Sequence, residues 1–98
     1  MYENMGLTRP LTKKAKEEIG ANPYYRICAR RNNECSGRIT IEHAIMYAGR
    51  RIDDIWALLP LCWYHHLGAG LNKRINEKIA IRRASQKDLE KYPKRKWR

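Results

Sequence analysis

The stretch that decides the fold runs from Cys28 to His66 and reads CARRNNECSGRITIEHAIMYAGRRIDDIWALLPLCWYHH. It begins with Cys28 and Cys35, which have six residues between them, and it ends with Cys62 and His65, which have two. Together these two pairs make a Cys₃His ligand set of the kind that suits tetrahedral Zn²⁺. The alternative is a set of small buried cysteines with a surface histidine and no metal. In a chain this short, a zinc ion that joins the two pairs would supply much of the folding free energy.

The residues between the two pairs predict two strands and the start of a helix. Residues Arg38–His43 alternate polar and β-branched side chains, which favours a strand whose isoleucines face the core. Its outward-facing residues are then expected to be Arg38, Thr40 and Glu42. Residues 55–62 form an apolar run in which Pro60 favours an edge or irregular strand. A helix is expected to begin at Trp63.

The flanking segments predict helices at both ends of one domain, residues 1–98, with a core over about 24–84. The N-terminal part is expected to have a loose lead-in over Met1–Arg9, a helix over about 11–20 with Ala15 and Ile19 on one face, and a strand over Tyr24–Cys28. After the central motif we expect a helix over about Lys73–Arg83 with Ile75 and Ile79 on one side, and a basic C-terminal helix and tail over about 85–98. Asn72 and Ser85 are the expected N-caps of the last two helices.

The dipeptide Glu42-His43 lies at the end of the first predicted strand. It supplies a hard oxygen ligand beside an imidazole, which is what a divalent ion and a general base need for attack on a phosphodiester. If His65 binds zinc, His66 points elsewhere, since neighbours on a helix differ by about 100°. A half-buried, hydrogen-bonded histidine without a catalytic role is the alternative at either position.

The order Cys28, Cys35, Glu42-His43, Cys62 and His65-His66 resembles the HNH endonuclease motif, the ββα-metal (His-Me) finger, in its zinc-containing, phage- or prophage-like subclass. The resemblance implies an α+β fold: a small ββα-metal core stapled by a structural zinc, with flanking helices at both ends. It also implies that His43 activates water, while Glu42 and His66 hold a catalytic Mg²⁺ or another divalent ion.

The chain departs from the family pattern at three positions. Ala57 stands where the family has its middle asparagine, which pins the loop and orients the general base. Glu42 replaces the more usual aspartate, and His65 replaces a fourth cysteine, a substitution that zinc tolerates.

The charge of the chain favours a nucleic acid as its partner. There are 21 lysines and arginines against 10 acidic residues, a net charge of +11 and a pI near 10.0. The residues predicted to contact phosphates are Arg38, Arg50, Arg51, Lys73 and Arg74; a solvated basic face is the alternative for each of them. The turn-rich segment of residues 28–37, here called the knuckle, has aromatic side chains near it. Trp56, Trp63 and Tyr64 are expected in the core, with stacking on splayed bases as the alternative, and Trp97 either stacks on bases or folds back.

These patterns predict a metal-dependent DNA endonuclease that nicks one strand per site, as a monomer or weak dimer. We expect no membrane segment, no small-molecule cofactor and a cytoplasmic location, in the host if the chain is phage-encoded. The alternative is a non-catalytic zinc-knuckle protein that binds nucleic acid.

Overall fold

The first sheet pairs the strand that carries Glu42 and His43 with the strand that ends at Cys62. The structure, a computed structural model, describes residues 11–93 and Trp97. Within that part the fold is α+β, with four helices and two antiparallel two-stranded sheets. The helices are α1 (Lys13–Ala21), α2 (Trp63–His66), α3 (Lys73–Arg83) and α4 (Gln86–Glu90). The strands are β1 (Ile39–His43), β2 (Met46–Tyr47), β3 (Arg50–Arg51) and β4 (Leu58–Cys62).

The pairing of β1 with β4 sets the position of the site. Ile39 lies opposite Cys62, and His43 lies opposite Leu58. Pro60 is accommodated within β4, where its carbonyl accepts a hydrogen bond of 2.7 Å from the amide of Ala29. The sheet therefore places the knuckle beside the end of β4 and Glu42-His43 beside its beginning.

The prediction that Thr40 and Glu42 face outward is wrong. Thr40 is 1% exposed and Glu42 is 8% exposed, because α2 packs over this face of β1 and brings His66 against Thr40. The prediction that Ile41 faces the core is confirmed, since it packs with Ala15 and Ile19 of α1. Both faces of this short sheet are covered, and the alternating pattern does not show that.

A tight hairpin returns the chain to the end of β1. Strands β2 and β3 pair antiparallel around Ala48 and Gly49, which have φ values of +53° and +78°. Positive φ at both central residues is the pattern of a type I′ turn, whose twist matches that of the strands. Beyond the hairpin, the amide of Ile52 donates to the carbonyl of Ile45 over 3.2 Å. The next residue, Asp53, thereby lies close to His43.

Two segments predicted as strand are 3₁₀-helix. Residues Pro23–Arg26 form one such turn because Asn22 Oδ1 caps the amide of Tyr24 and the proline already has a helical φ. The prediction of a strand over Tyr24–Cys28 is therefore wrong. Residues Ile55–Ala57 form the second 3₁₀ turn, so β4 begins only at Leu58.

Helix α3 has the predicted bounds, and its predicted Asn72 cap is confirmed by a 3.1 Å bond to the amide of Ile75. The side that carries Ile75 and Ile79 is not the most buried one, because Ile75 is 40% exposed whereas Asn76 and Ala80 are buried. This helix packs on the 3₁₀ turn Ile55–Ala57 and on β4, where the small side chain of Ala80 permits close approach.

Two further terminal predictions can be compared with the structure. The capping box of α4 is confirmed by reciprocal bonds between Ser85 and Asp88. Trp97 folds back, with its ring stacked 6.5 Å from that of Tyr47 and its Nε1 donating to the carbonyl of Tyr92. The predicted lead-in Met1–Arg9 and the tail residues 94–96 and 98 lie outside the described residues. Across the part that is described, no helix combines the length and apolar character needed to cross a membrane.

Arg83 connects three parts of the chain. Its Nη1 donates to Tyr25 Oη and to the carbonyl of Leu58, each over 2.8 Å. Its guanidinium also lies 4.1 Å from the ring centroid of Tyr24. The end of α3 is thereby joined to the N-terminal 3₁₀ turn and to the start of β4.

Replacing Arg83 with leucine should lower the free energy of unfolding by about 1–3 kcal/mol, because the carbonyl of Leu58 loses a charged donor. Arg82→Leu is the matched control, since Arg82 is exposed on the same turn; it should change stability by no more than about 0.5 kcal/mol. Urea unfolding measures both. Equal effects would show that Arg83 does not hold these segments together.

Candidate functional site

Four potential metal ligands meet where the knuckle, β4 and α2 join. They are Cys28, Cys35, Cys62 and His65, and their ligand atoms all lie within 4.8 Å of one another. Cys28, Cys62 and His65 are buried, whereas Cys35 is the accessible member. The two pairs that the sequence singled out thus form one cluster that could hold a metal ion.

The cluster has the dimensions of a tetrahedral site. Nδ1 of His65 lies 3.6 Å from the sulfurs of Cys28 and Cys35 and 3.2 Å from that of Cys62. Sulfur and nitrogen at ordinary zinc distances and a tetrahedral angle would be about 3.6 Å apart. The three sulfurs and one imidazole are also the donor types that Zn²⁺ prefers, so the residues fit that ion.

Backbone hydrogen bonds hold the knuckle against α2. The amide of Trp63 donates to the carbonyl of Arg38 over 3.1 Å, and that of Tyr64 donates to Ser36 over 3.0 Å. Gly37 lies between these acceptors with a φ of +83°, and a Cβ there would be 2.6 Å from Cβ of Trp63. Only glycine therefore allows the knuckle to approach the helix this closely.

The local environment keeps His65 in its metal-binding form. Burial, assisted by the positive charge of Arg30, lowers the pKa of His65 from its ordinary value, so the imidazole is neutral at pH 7. Burial raises the pKa of Cys28 to about 11. Burial also acts on Cys62, but hydrogen bonds from the amides of His65 and Ser36 outweigh it and lower the pKa of that thiol. A bound cation would favour the thiolate of every cysteine in the cluster.

Next to this cluster, Glu42 and His66 form a second contact. Oε1 of Glu42 lies 3.2 Å from Nε2 of His66, and the two side chains are 10% and 6% exposed. The other ring nitrogen of His66, Nδ1, is 2.6 Å from Oγ1 of Thr40. Thr40 in turn donates its hydroxyl proton to the carbonyl of Leu61 over 2.8 Å.

This chain of contacts fixes the tautomer of neutral His66. Since Thr40 uses its only proton on Leu61, its oxygen accepts from His66, and the ring proton therefore lies on Nδ1. The lone pair of Nε2 then faces the carboxylate of Glu42. Two acceptors at this distance suit a shared cation, and a metal ion would satisfy both of them.

His43 takes part in a different contact. Its Nε2 lies 3.0 Å from Oδ1 of Asp53, with the side chains 2% and 33% exposed. Because successive side chains in a strand point to opposite faces, His43 and Glu42 diverge along β1. The structure thus brings Glu42 and His66 together and places His43 with Asp53, a residue that the sequence reasoning missed. The only sequence signal was the acidic pair Asp53-Asp54 after the hairpin.

Ala57 stands at the position where the HNH motif would have an asparagine. Its carbonyl accepts a 2.9 Å hydrogen bond from the amide of Ala44, which ties the loop after β1 to the start of β4.

The residues predicted to contact phosphates differ in their exposure to solvent. Arg38, Arg50, Lys73 and Arg74 are exposed. Arg51 is half-buried, and its Nη1 donates to the carbonyl of His43 over 2.9 Å. That bond helps to fix the end of β1.

Comparison with family models, with curated proteins and with solved structures found no match. Membership of the HNH family therefore stays a prediction from the motif, and the geometry of the site carries the functional argument.

Replacing Cys62 with serine should abolish binding of the cluster metal and lower the melting temperature sharply, because structural zinc contributes directly to folding. Metal analysis of the purified protein should find about one zinc per chain. Ser36→Ala, in the same knuckle but outside the ligand set, should keep the metal. An unchanged melting temperature for Cys62→Ser would contradict a structural metal.

Proposed function

We propose that this protein is a metal-dependent endonuclease that hydrolyses phosphodiester bonds in DNA. In this proposal Cys28, Cys35, Cys62 and His65 hold a structural Zn²⁺, and Glu42 and His66 hold a second divalent ion. The observation that carries it is the 3.2 Å approach of His66 Nε2 to Glu42 Oε1.

The spacing of this pair suits two ligands of one ion. Nitrogen and oxygen atoms that lie about 2.1–2.2 Å from a metal at right angles are about 3.0 Å apart. Thr40 directs the lone pair of His66 towards this position. Carboxylate with imidazole is a donor set that Mn²⁺ or Zn²⁺ accepts readily, and Mg²⁺ chiefly through the carboxylate.

Each side chain then has a defined task. A divalent ion at this site would neutralise charge on the phosphate and on the leaving oxygen. The motif assigns proton transfer from water to His43, at Nδ1 because its Nε2 faces Asp53; this assignment rests on the motif, since the side chain diverges from Glu42 along β1. Asp53 is a positioning residue that fixes the tautomer and orientation of that ring, the second task of the missing asparagine. Arg38, exposed at the start of β1, contacts the phosphate backbone.

The activity is tested by incubating the protein with supercoiled plasmid and Mn²⁺ or Mg²⁺ and measuring the rate of nicking. The protein should nick it, and His43→Ala and Glu42→Gln should each lower the rate by about 100-fold or more, because each removes a group that acts at the reacting phosphate. Glu90→Gln, at an exposed acid in α4, should cut normally. All variants should keep their zinc.

Asp53→Asn tests the positioning role. The neutral amide holds a proton on Nε2 of His43 less firmly than the carboxylate does and can present its NH₂ group instead, so kcat should fall by roughly 10-fold or more while KM stays unchanged. Asp53→Glu should recover part of the loss. Asp54→Asn is the control, since Asp54 contacts Trp56 Nε1 and Lys91 instead. A change in KM for Asp53→Asn, or an equal loss of kcat in Asp53→Asn and Asp54→Asn, would contradict this role.

Two observations favour the second candidate, a zinc-stabilised protein that binds nucleic acid without cutting it. The side chain of His43 is only 2% exposed, which is the environment of a structural histidine, and it contacts Asp53 rather than the Glu42-His66 pair. Intact DNA binding with no cleavage under any ion would establish this candidate and overturn the nuclease.

A further inference from the structure

Trp63 is an exposed aromatic residue at the metal cluster. Its exposed fraction is 46%, against 3% for Trp56. Trp63 follows Cys62 directly and begins the helix that carries His65 and His66. The sequence analysis expected it in the core, and that prediction is wrong because the residue lies on the outer side of α2.

Two glycines leave room for the indole. A Cβ at Gly37 would lie 2.6 Å from Cβ of Trp63, and one at Gly68 would lie 2.8 Å from its Cζ3. Both distances are too short for a Cβ unless Trp63 moves. The base of the side chain therefore lies against Gly37 and one edge of the ring against Gly68, which restricts the indole although it is exposed.

A basic groove begins at the same place. It has a volume of about 420 Å³ and adjoins the cluster, whose three cysteines line it together with Arg26, Ile27, Arg31 and Gly37. Gly37 thus touches Trp63 and also lines the groove. Both arginines are exposed, and Ile27 is 51% exposed. We call this region the Trp63 surface, defined by Arg26, Ile27, Arg31, Gly37 and Trp63.

We propose that the Trp63 surface binds an unpaired segment of DNA, with a base stacked on the indole and phosphates beside Arg26 and Arg31. The choice of DNA rests on the proposed function. The net charge of +11 and the two arginines favour a polyanion. An exposed, restricted indole stacks on bases at little entropic cost. Bases inside a duplex already stack on each other, so the substrate of this nuclease has single-stranded or branched character.

The fluorescence of Trp63 gives a direct test. The full chain, with its cluster metal and no other added ion, is titrated with an oligothymidylate of about 12 nucleotides, within the usual site sizes of single-strand binding. The control ligand is an abasic strand of equal length, which has the phosphates but no bases. The oligothymidylate should quench the tryptophan emission and bind more tightly than the abasic strand does. Equal quenching by both strands would overturn stacking.

Variants show whether the base-dependent binding comes from Trp63. Trp63→Ala should weaken thymidylate binding by roughly 5- to 100-fold, and Trp63→Tyr should retain most of it. Ile75→Ala removes another exposed apolar side chain, 40% exposed on α3, and should bind normally. Equal binding by Trp63→Ala and the parent protein, or a preference for duplex, would overturn the proposal.

The binding test can be separated from the test of cleavage. Base-dependent binding without nicking would overturn the proposed nuclease activity but support the Trp63 surface. Nicking by a protein whose Trp63→Ala variant binds DNA unchanged would support the nuclease activity but overturn the Trp63 surface.

Discussion

The convergence of three thiols and one imidazole is the constraint on which the rest of this structure depends. Cys28 and Cys35 come from the knuckle, Cys62 ends β4, and His65 belongs to α2. A helix of four residues cannot be stable by itself. Its position is set by the cluster and by the backbone bonds from Trp63 and Tyr64 to the knuckle. A metal at the cluster would hold these segments together more strongly than hydrophobic burial can in so small a domain.

The position of His66 follows from that of its neighbour. Once His65 is held by the cluster, the turn of α2 directs His66 towards β1, where Thr40 orients its ring and Glu42 faces its second nitrogen. Adjacent residues of α2 thus have different partners: His65 belongs to the cluster, and His66 contacts Thr40 and Glu42. Trp63, on the same helix, meets solvent. One short helix thus connects the metal cluster, the carboxylate-histidine pair and an exposed aromatic surface.

The sequence predicted the features that depend on local chemistry. Ligand spacing identified all four cluster residues, and the caps at Asn72 and Ser85 followed from side chains next to their helices. Features that depend on tertiary packing were not predictable. The hydroxyl of Thr40 became relevant only because α2 covers its face of β1. Asp53 reaches His43 only because of the tight hairpin between them. Asn76 is buried on the inner face of α3 and Ile75 is exposed, because tertiary packing and not the apolar spacing determines which face is buried.

A crystal of the protein soaked in Mn²⁺, with anomalous scattering recorded at the zinc and manganese edges, tests the central claim most directly. The account predicts a zinc peak among Cys28, Cys35, Cys62 and His65, and a manganese peak within bonding distance of Glu42 Oε1 and His66 Nε2. A zinc peak with no manganese between Glu42 and His66 at saturating ion would contradict the second site. The protein would then be a metal-stabilised binding module without a second ion.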